Sequence, residues 1–351
     1  MIYFHNDYHA MCHGAVLEKM NKIAQERYTG YGLDERCASA AARIRNLCDA
    51  PNASVHFLVG GTQTNLTVIA AALRPHQAVI GAETAHINVH ETGAIEATGH
   101  KVIGLRSDDG KLTAAQIEQV VLEHRQSGDA EHIAQPKMVY ISNSTEVGTT
   151  YSLRELEALS AVCRRYGLYL FMDGARLGYA LTAEGCDVTL GDLARLCDVF
   201  YIGGTKVGAM FGEAVVITNP AISEDFRYLI KQRGGMLAKG WLLGVQFEAL
   251  LEDGLYFDIS RHANRLADNI RLTLQKLQCP MMVESPTNQL FPILPDQWLE
   301  ELGKEFTFSE MGRVDECHRT VRFCTSWASQ EADVQALCDA LECIAKKYGN
   351  L

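Results

Sequence analysis

Lys206 closes the stretch Tyr201-Ile202-Gly203-Gly204-Thr205-Lys206, and a second largely apolar run, Met210 to Ile217, follows it. A lysine between apolar runs loses hydration, which lowers its pKa and makes its amine a usable nucleophile. The ordinary alternative is a solvated loop lysine. Met172-Asp173-Gly174-Ala175-Arg176 ends another apolar run. A carboxylate there can hold a positively charged ring nitrogen, and Arg176 can fork onto a carboxylate. Its alternative is an Asp helix cap beside a surface arginine. Gly60-Gly61-Thr62-Gln63-Thr64-Asn65 joins a strand-like run to a helical one. Glycines let backbone N–H groups approach an anion, a helix N-terminus favours negative charge, and Thr62 and Gln63 can add side-chain donors. The same residues also read as a plain turn with a Thr cap. No GK[ST] follows and GxGxxG is missing, so neither a P-loop nor a dinucleotide fingerprint is present.

Two further segments carry titratable groups. His86 and His90 are spaced to share one helical face. A metal pair needs a third ligand, which the sequence does not supply, so no metal is expected. A single His86 packed flat on an aromatic cofactor uses the residue better. His5, His9 and His13 repeat the spacing and read as arm or surface residues. Glu146 follows the run Met138 to Ser142 among the turn formers Ser144, Thr145 and Gly148. It therefore belongs to a loop at the sheet edge where a ligand lies, either accepting a proton or standing as a surface acid.

These residues need a scaffold, and the apolar pattern describes one. Short strands are expected at Val55 to Val59, Val102 to Leu105, Met138 to Ser142, Tyr169 to Met172, Val199 to Ile202 and Ala214 to Thr218, with helices between several of them. One helix follows Thr62 and ends before Pro75, and another carries Val16, Met20 and Ile23. Thr113 with Gln116, and Ser152 with Glu155, are capping boxes. The alternation implies an α/β fold with a mainly parallel sheet and helices on both faces, whose ligands bind beyond the strands' carboxyl ends. Near residue 252 the pattern changes. A long helix carrying Ile259 to Leu277 follows, then strands at Leu290 to Leu294 and Val321 to Thr325, and a last helix ending at Gly349. The expected division is a large domain, 1–252, with an N-terminal arm, and a small α+β domain, 253–351.

Composition excludes other classes. The 351 residues are 47% hydrophobic and 21% charged, in the globular range. A formal charge of −11 without a Lys/Arg run argues against nucleic acid or an anionic membrane. No apolar run approaches the roughly 20 residues that span a bilayer, and no signal peptide is expected. The 11 cysteines never form CxxC, which fits a reduced cytoplasmic thiol set.

As an ordered set, these motifs resemble pyridoxal-phosphate enzymes of the aspartate aminotransferase fold (fold type I), and within it the threonine aldolase branch of the β-eliminating lyases. The likeness runs from His5-Asn6-Asp7 through GGTQTN, TAHINVHETGA, FMDGARLG, GGTKVGAMFGE and KQRGGMLAKG to Thr287-Asn288-Gln289 and Val321-Arg322-Phe323. It implies that Lys206, with Thr205 beside it, carries the cofactor covalently. Asp173 then binds the pyridine nitrogen, Gly61, Thr62 and Gln63 hold the phosphate, and His86 stacks on the ring and can act as a base. Arg176 and Arg322, with Asn6, grip the substrate carboxylate. The implied reaction splits a β-hydroxy-α-amino acid such as threonine, allo-threonine or phenylserine into glycine and an aldehyde. Where many members place a histidine near the substrate hydroxyl, this chain has Glu146. Lys239 is the candidate for a phosphate contact to a partner subunit, in a homodimer or homotetramer. Other lyase or aminotransferase reactions on the same cofactor, and a non-catalytic relative, are the alternatives.

Overall fold

A computed structural model describes residues 1–349. After the short strand β1 (Ile2–Tyr3) come β2 (Ser54–Leu58), β3 (Gln77–Ala82), β4 (Lys101–Leu105), β5 (Gln135–Ser142), β6 (Tyr169–Asp173), β7 (Val199–Gly203) and β8 (Glu213–Ile217). These seven form one sheet in the order β2-β8-β7-β6-β5-β3-β4. β8 runs antiparallel to both neighbours and every other pairing is parallel. The fold is α/β, as the alternating pattern implies. Six of the seven strands fall within a few residues of their expected positions. The seventh, β3, is not anticipated, although it is wholly buried between β4 and β5. Its sequence, QAVIGA, is rich in Ala and Gly. A Cβ on Gly81 would lie 3.3 Å from the Cβ of Ala85, a tight approach by the loop that folds back over the strand end.

Both expected capping boxes form, at Thr113/Gln116 and Ser152/Glu155, and a third at Thr189/Asp192 was not anticipated. The register brings the chemistry to one edge. Ser142 at the end of β5 pairs with Asp173 at the end of β6, and Gly203 at the end of β7 pairs with Glu213 at the start of β8. Leu58, just before the Gly60-Gly61 turn, also pairs with Glu213.

Buried apolar side chains form two clusters. One surrounds the large sheet and extends to Ile259 and Ala263. The other gathers Phe4 with residues from Leu266 to Ala345. The helix Leu255–Lys276 therefore serves both cores. Around the second core lie β9 (Gln289–Leu290), β10 (Ile293–Pro295), β11 (Phe306–Thr307), β12 (Ser309–Arg313) and β13 (His318–Cys324). The single strand expected over 290–294 is split into β9 and β10, because Pro292 has no N–H to offer the ladder on β13. The arm joins this second core: β1 pairs in parallel with β11, and the carbonyl of Phe4 accepts the N–H of Cys324 at 2.7 Å. All eleven cysteines are unpaired.

Candidate active site

A cavity of about 310 Å³ opens at the carboxyl edge of the sheet. Gly60–Thr62, His86, Ser142, Glu146, Asp173, Arg176, Lys206 and Glu213 are among its walls. At one end stands the helix Gly61–Ala72, whose first amide bonded in this turn is Thr64, to the carbonyl of Gly60. The N–H groups of Gly61, Thr62 and Gln63 are thus left for an anion. The Gln63 side chain is not: its Oε1 accepts the Val59 N–H at 3.4 Å and its Nε2 donates to the Arg233 carbonyl at 3.2 Å. Of the expected Gln63 donors, only the backbone one points to the site. Tyr201 Oη, buried and among the groups that hold the Asp173 carboxyl down, lies beside this turn, 3.2 Å from where a Cβ on Gly61 would sit.

Opposite, Asp173 Oδ1 accepts the Ala175 N–H at 2.9 Å, while Oδ2 accepts Tyr140 Oη at 2.5 Å and Asn65 Nδ2 at 3.2 Å. Burial alone raises the carboxyl's pKa, but the hydrogen bonds, led by Tyr140, outweigh it and hold the group below the usual range. Asp173 is buried as an anion, with no Lys or Arg in salt-bridge range among the described residues. Such a carboxylate calls for a cation from outside the chain.

Lys206 follows two glycines that backbone contact enforces. A Cβ on Gly203 would lie 2.4 Å from the Ala175 carbonyl, and one on Gly204 2.6 Å from that of Gly212. Desolvation, then the charge of Arg176, pushes the Lys206 amine below the usual lysine range. Glu213, desolvated in the same wall, has its carboxyl raised to about 7. It accepts Thr205 Oγ1 at 2.8 Å and the Gly204 N–H at 2.9 Å, so it pins the turn that presents the lysine. The Thr205 hydroxyl also accepts the Gly212 N–H at 3.0 Å; its bonds close the turn, and no free donor is left for a ligand.

His86 begins the short helix His86–Val89 and lines the cavity. Its Nδ1 bonds Glu91 Oε1 at 2.8 Å, and its backbone N–H donates to Glu146 Oε1 at 2.9 Å. The same Glu146 oxygen accepts Ser142 Oγ at 2.7 Å, and burial raises its carboxyl pKa. His90 lies beside His86, ring centroids 5.6 Å apart.

The expected carboxylate clamp is arranged differently. Arg176 donates Nε and Nη2 to Asp7 at 2.7 and 2.9 Å, so two of its nitrogens are already held. Asn6 is buried with its Oδ1 on the Tyr8 N–H, outside the cavity lining. Arg322 donates to the His5 carbonyl at 2.8 Å, Ser309 Oγ at 3.2 Å and Gln289 Oε1 at 3.3 Å, and likewise does not reach the cavity wall. Lys239 is exposed, away from the cavity. Sequence reasoning assigned no role to Asn65, Glu91, Tyr140, Tyr201, Glu213 or Asp7. For Glu213 a signal existed: it is a charged residue inside an otherwise apolar stretch.

The anion cradle, the uncompensated Asp173, a desolvated lysine and an imidazole wall fit pyridoxal phosphate. Comparison with known proteins agrees. The chain is 34% identical over 330 residues to the low specificity L-threonine aldolase of Pseudomonas sp. (strain NCIMB 10558), covering 92% of this chain and 91% of that one. It is 36% identical over 239 residues to the Pseudomonas aeruginosa enzyme of the same name, 68% of each chain. A solved Leishmania major threonine aldolase superposes with TM-score 0.95 at 46% identity, covering 98% of this chain and 99% of that one. A Thermus thermophilus aspartate aminotransferase shares the fold at TM-score 0.73 and 15% identity, over 99% of this chain and 91% of that one. Residues 4–296 match the model of one family throughout, and the chain belongs to it: the beta-eliminating lyases.

Proposed function

We propose that this lyase cleaves a β-hydroxy-α-amino acid to glycine and an aldehyde. The observation that carries the reading is the half-buried Lys206 facing the uncompensated Asp173 across one cavity. Pyridoxal phosphate, when bound, supplies an electron sink at the substrate's Cα. The chain's residues do the rest. The N–H groups of Gly61, Thr62 and Gln63 would hold the phosphate, and Asp173 would keep the ring nitrogen protonated. Lys206 Nζ would be the amine that anchors the cofactor and, when free, would return a proton to the substrate's Cα. Arg176, held by Asp7 through Nε and Nη2, has Nη1 left for the substrate carboxylate. This orients the Cα–Cβ bond for breaking. Arg322 and Asn6 support that clamp through the arm. His86 Nε2 accepts the β-hydroxyl proton, and Glu146 holds the hydroxyl in line.

The test is product analysis on threonine, allo-threonine and phenylserine. Glycine and the matching aldehyde should form in equal amounts, and Lys206→Ala should lose both turnover and the visible absorbance of the lysine-bound cofactor. A keto acid, or ammonia without glycine, would replace this reading with transamination or elimination.

We also propose a homodimer or homotetramer. Two pits of about 380 and 490 Å³ adjoin around Tyr31, Arg227 and Met236, and Tyr228 beside them is 75% exposed. Lys239 follows Ala238, whose carbonyl accepts the Tyr31 N–H, so it stands on the same surface. Light scattering after gel filtration tests the assembly. No described helix is long and apolar enough to cross a membrane. The unpaired cysteines support a cytoplasmic location, which fractionation tests.

A further inference from the structure

We propose that Glu91 is a positioning residue that makes His86 the proton acceptor, as the charged half of a carboxylate–imidazole dyad locked by Asn65 to the Asp173 carboxylate. The inference rests on the reading of His86 above and adds the residue that gives it its proton state. Glu91 Oε1 meets His86 Nδ1 at 2.8 Å and Asn65 Nδ2 at 2.7 Å, and Asn65 Nδ2 also reaches Asp173 Oδ2 at 3.2 Å. The Glu91 side chain is wholly buried, whereas that of His86 is 36% exposed, toward the cavity. A carboxylate on Nδ1 fixes the Nδ1–H tautomer and leaves Nε2 as the acceptor. When Nε2 takes a proton, the buried charge at Glu91 stabilises the resulting cation.

A purely architectural role fits less well. Glu91 Oε2 and Asn65 Oδ1 are both buried acceptors without a partner. Such orphans cost stability, more so on a charged group. A glutamine at 91 would keep the acceptor for His86, with its orientation set by the Asn65 donor. It would also replace the orphaned, charged Oε2 by an uncharged N–H and so remove a buried charge. Stability therefore favours the amide, and the carboxylate is retained at its expense, as expected of a group whose charge is used.

The experiment compares Glu91→Gln, Glu91→Leu and the parent, each as the holoprotein labelled with 15N-histidine, with His86→Asn assigning the resonance. The parent and Glu91→Gln should both carry the His86 proton on Nδ1, whereas Glu91→Leu should move it to Nε2. The melting temperature of Glu91→Gln should equal or exceed the parent's, while its cleavage of a β-hydroxy amino acid falls roughly tenfold. Exchange of the glycine α-proton, which needs no hydroxyl deprotonation, should change less than about threefold. An unmoved proton in Glu91→Leu would overturn the dyad. So would a Glu91→Gln variant that loses stability and both rates together, since that is the mark of a structural residue. If the proton positions hold but no aldehyde is ever released, the dyad stands and the aldolase reading falls, so the two failures are distinguishable.

Discussion

Replacing Asp7 by Asn removes the charge that the arm delivers to Arg176. The pair is bidentate and nearly dry: the Asp7 side chain is 0% exposed, that of Arg176 11%. Asn288 Nδ2 adds a third bond to Asp7 at 3.0 Å. Burial pulls the Asp7 carboxyl upward, but the charge of Arg176 and these bonds bring it from 3.8 down to about 2. That depression is worth roughly 2.4 kcal/mol at neutral pH. Deleting one partner of such a pair also strands the other, at about 3–5 kcal/mol. Asn retains one acceptor, so a loss of about 3 kcal/mol is expected. The sign with pH follows from the direction of the shift. A depressed carboxyl contributes its stability above its unfolded value and loses it as pH falls through its folded one. The gap between parent and Asp7→Asn should therefore be constant from pH 7 to 5 and narrow by roughly 1 kcal/mol by pH 3. Urea denaturation midpoints at pH 7, 5 and 3 measure it. A gap below about 1 kcal/mol at pH 7, or one that does not narrow in acid, would refute the claim that this ion pair ties the arm to the site.

Asp173→Asn should retain cofactor binding while turnover falls by about two orders of magnitude or more, read by absorbance and aldehyde release on one preparation. Glu146→Gln should slow cleavage about tenfold or more while glycine α-proton exchange is largely spared; equal loss of both rates would make the effect structural. Glu213 has a raised carboxyl, so its contribution is complete in acid and is lost as pH rises through about 7. The parent's melting temperature should therefore decline from pH 5 to 8 relative to Glu213→Gln, and parallel curves would exclude the buried, proton-holding Glu213.

The large sheet was legible because its strands are short apolar runs closed by glycine, Asp or turn residues, and the same punctuation marks the site. Lys206, Asp173 and the Gly60-Gly61 turn stand at strand ends, where period and chemistry change together. β3 was missed because alanine and glycine carry little strand signal. The direction of a side chain was not legible at all. Gln63 sits in the right motif yet turns to Val59 and Arg233, and Arg322 spends its guanidinium on the arm and Ser309. The Glu91–Asn65 link joins residues 26 apart in sequence, and the packing of the helix Gly61–Ala72 against β6 brings Asn65 within reach of Asp173. Asp7 lay inside a motif that had drawn attention to its neighbour Asn6. Both are buried, and it is Asp7 that meets Arg176, in an arm anchored by the β1–β11 pairing over 300 residues away in sequence.

That pairing also orders events during synthesis. Tyr3 is matched with Thr307, and Phe4 with Cys324, so the first strand made must wait for nearly the last one. Closing a free loop of about 300 residues costs roughly 5 kcal/mol in chain entropy, far more than a two-residue strand returns. Only after both cores have formed is that loop effectively short, and then the arm can dock. Until it does, Arg176 stands in a desolvated wall without its counter-charge. The anion cradle and Asp173, built from β2 to β8, can be complete while the ribosome is still extending the chain. The carboxylate clamp cannot, and a nascent chain stalled before β13 would carry a cofactor cradle with no ordered grip on a substrate.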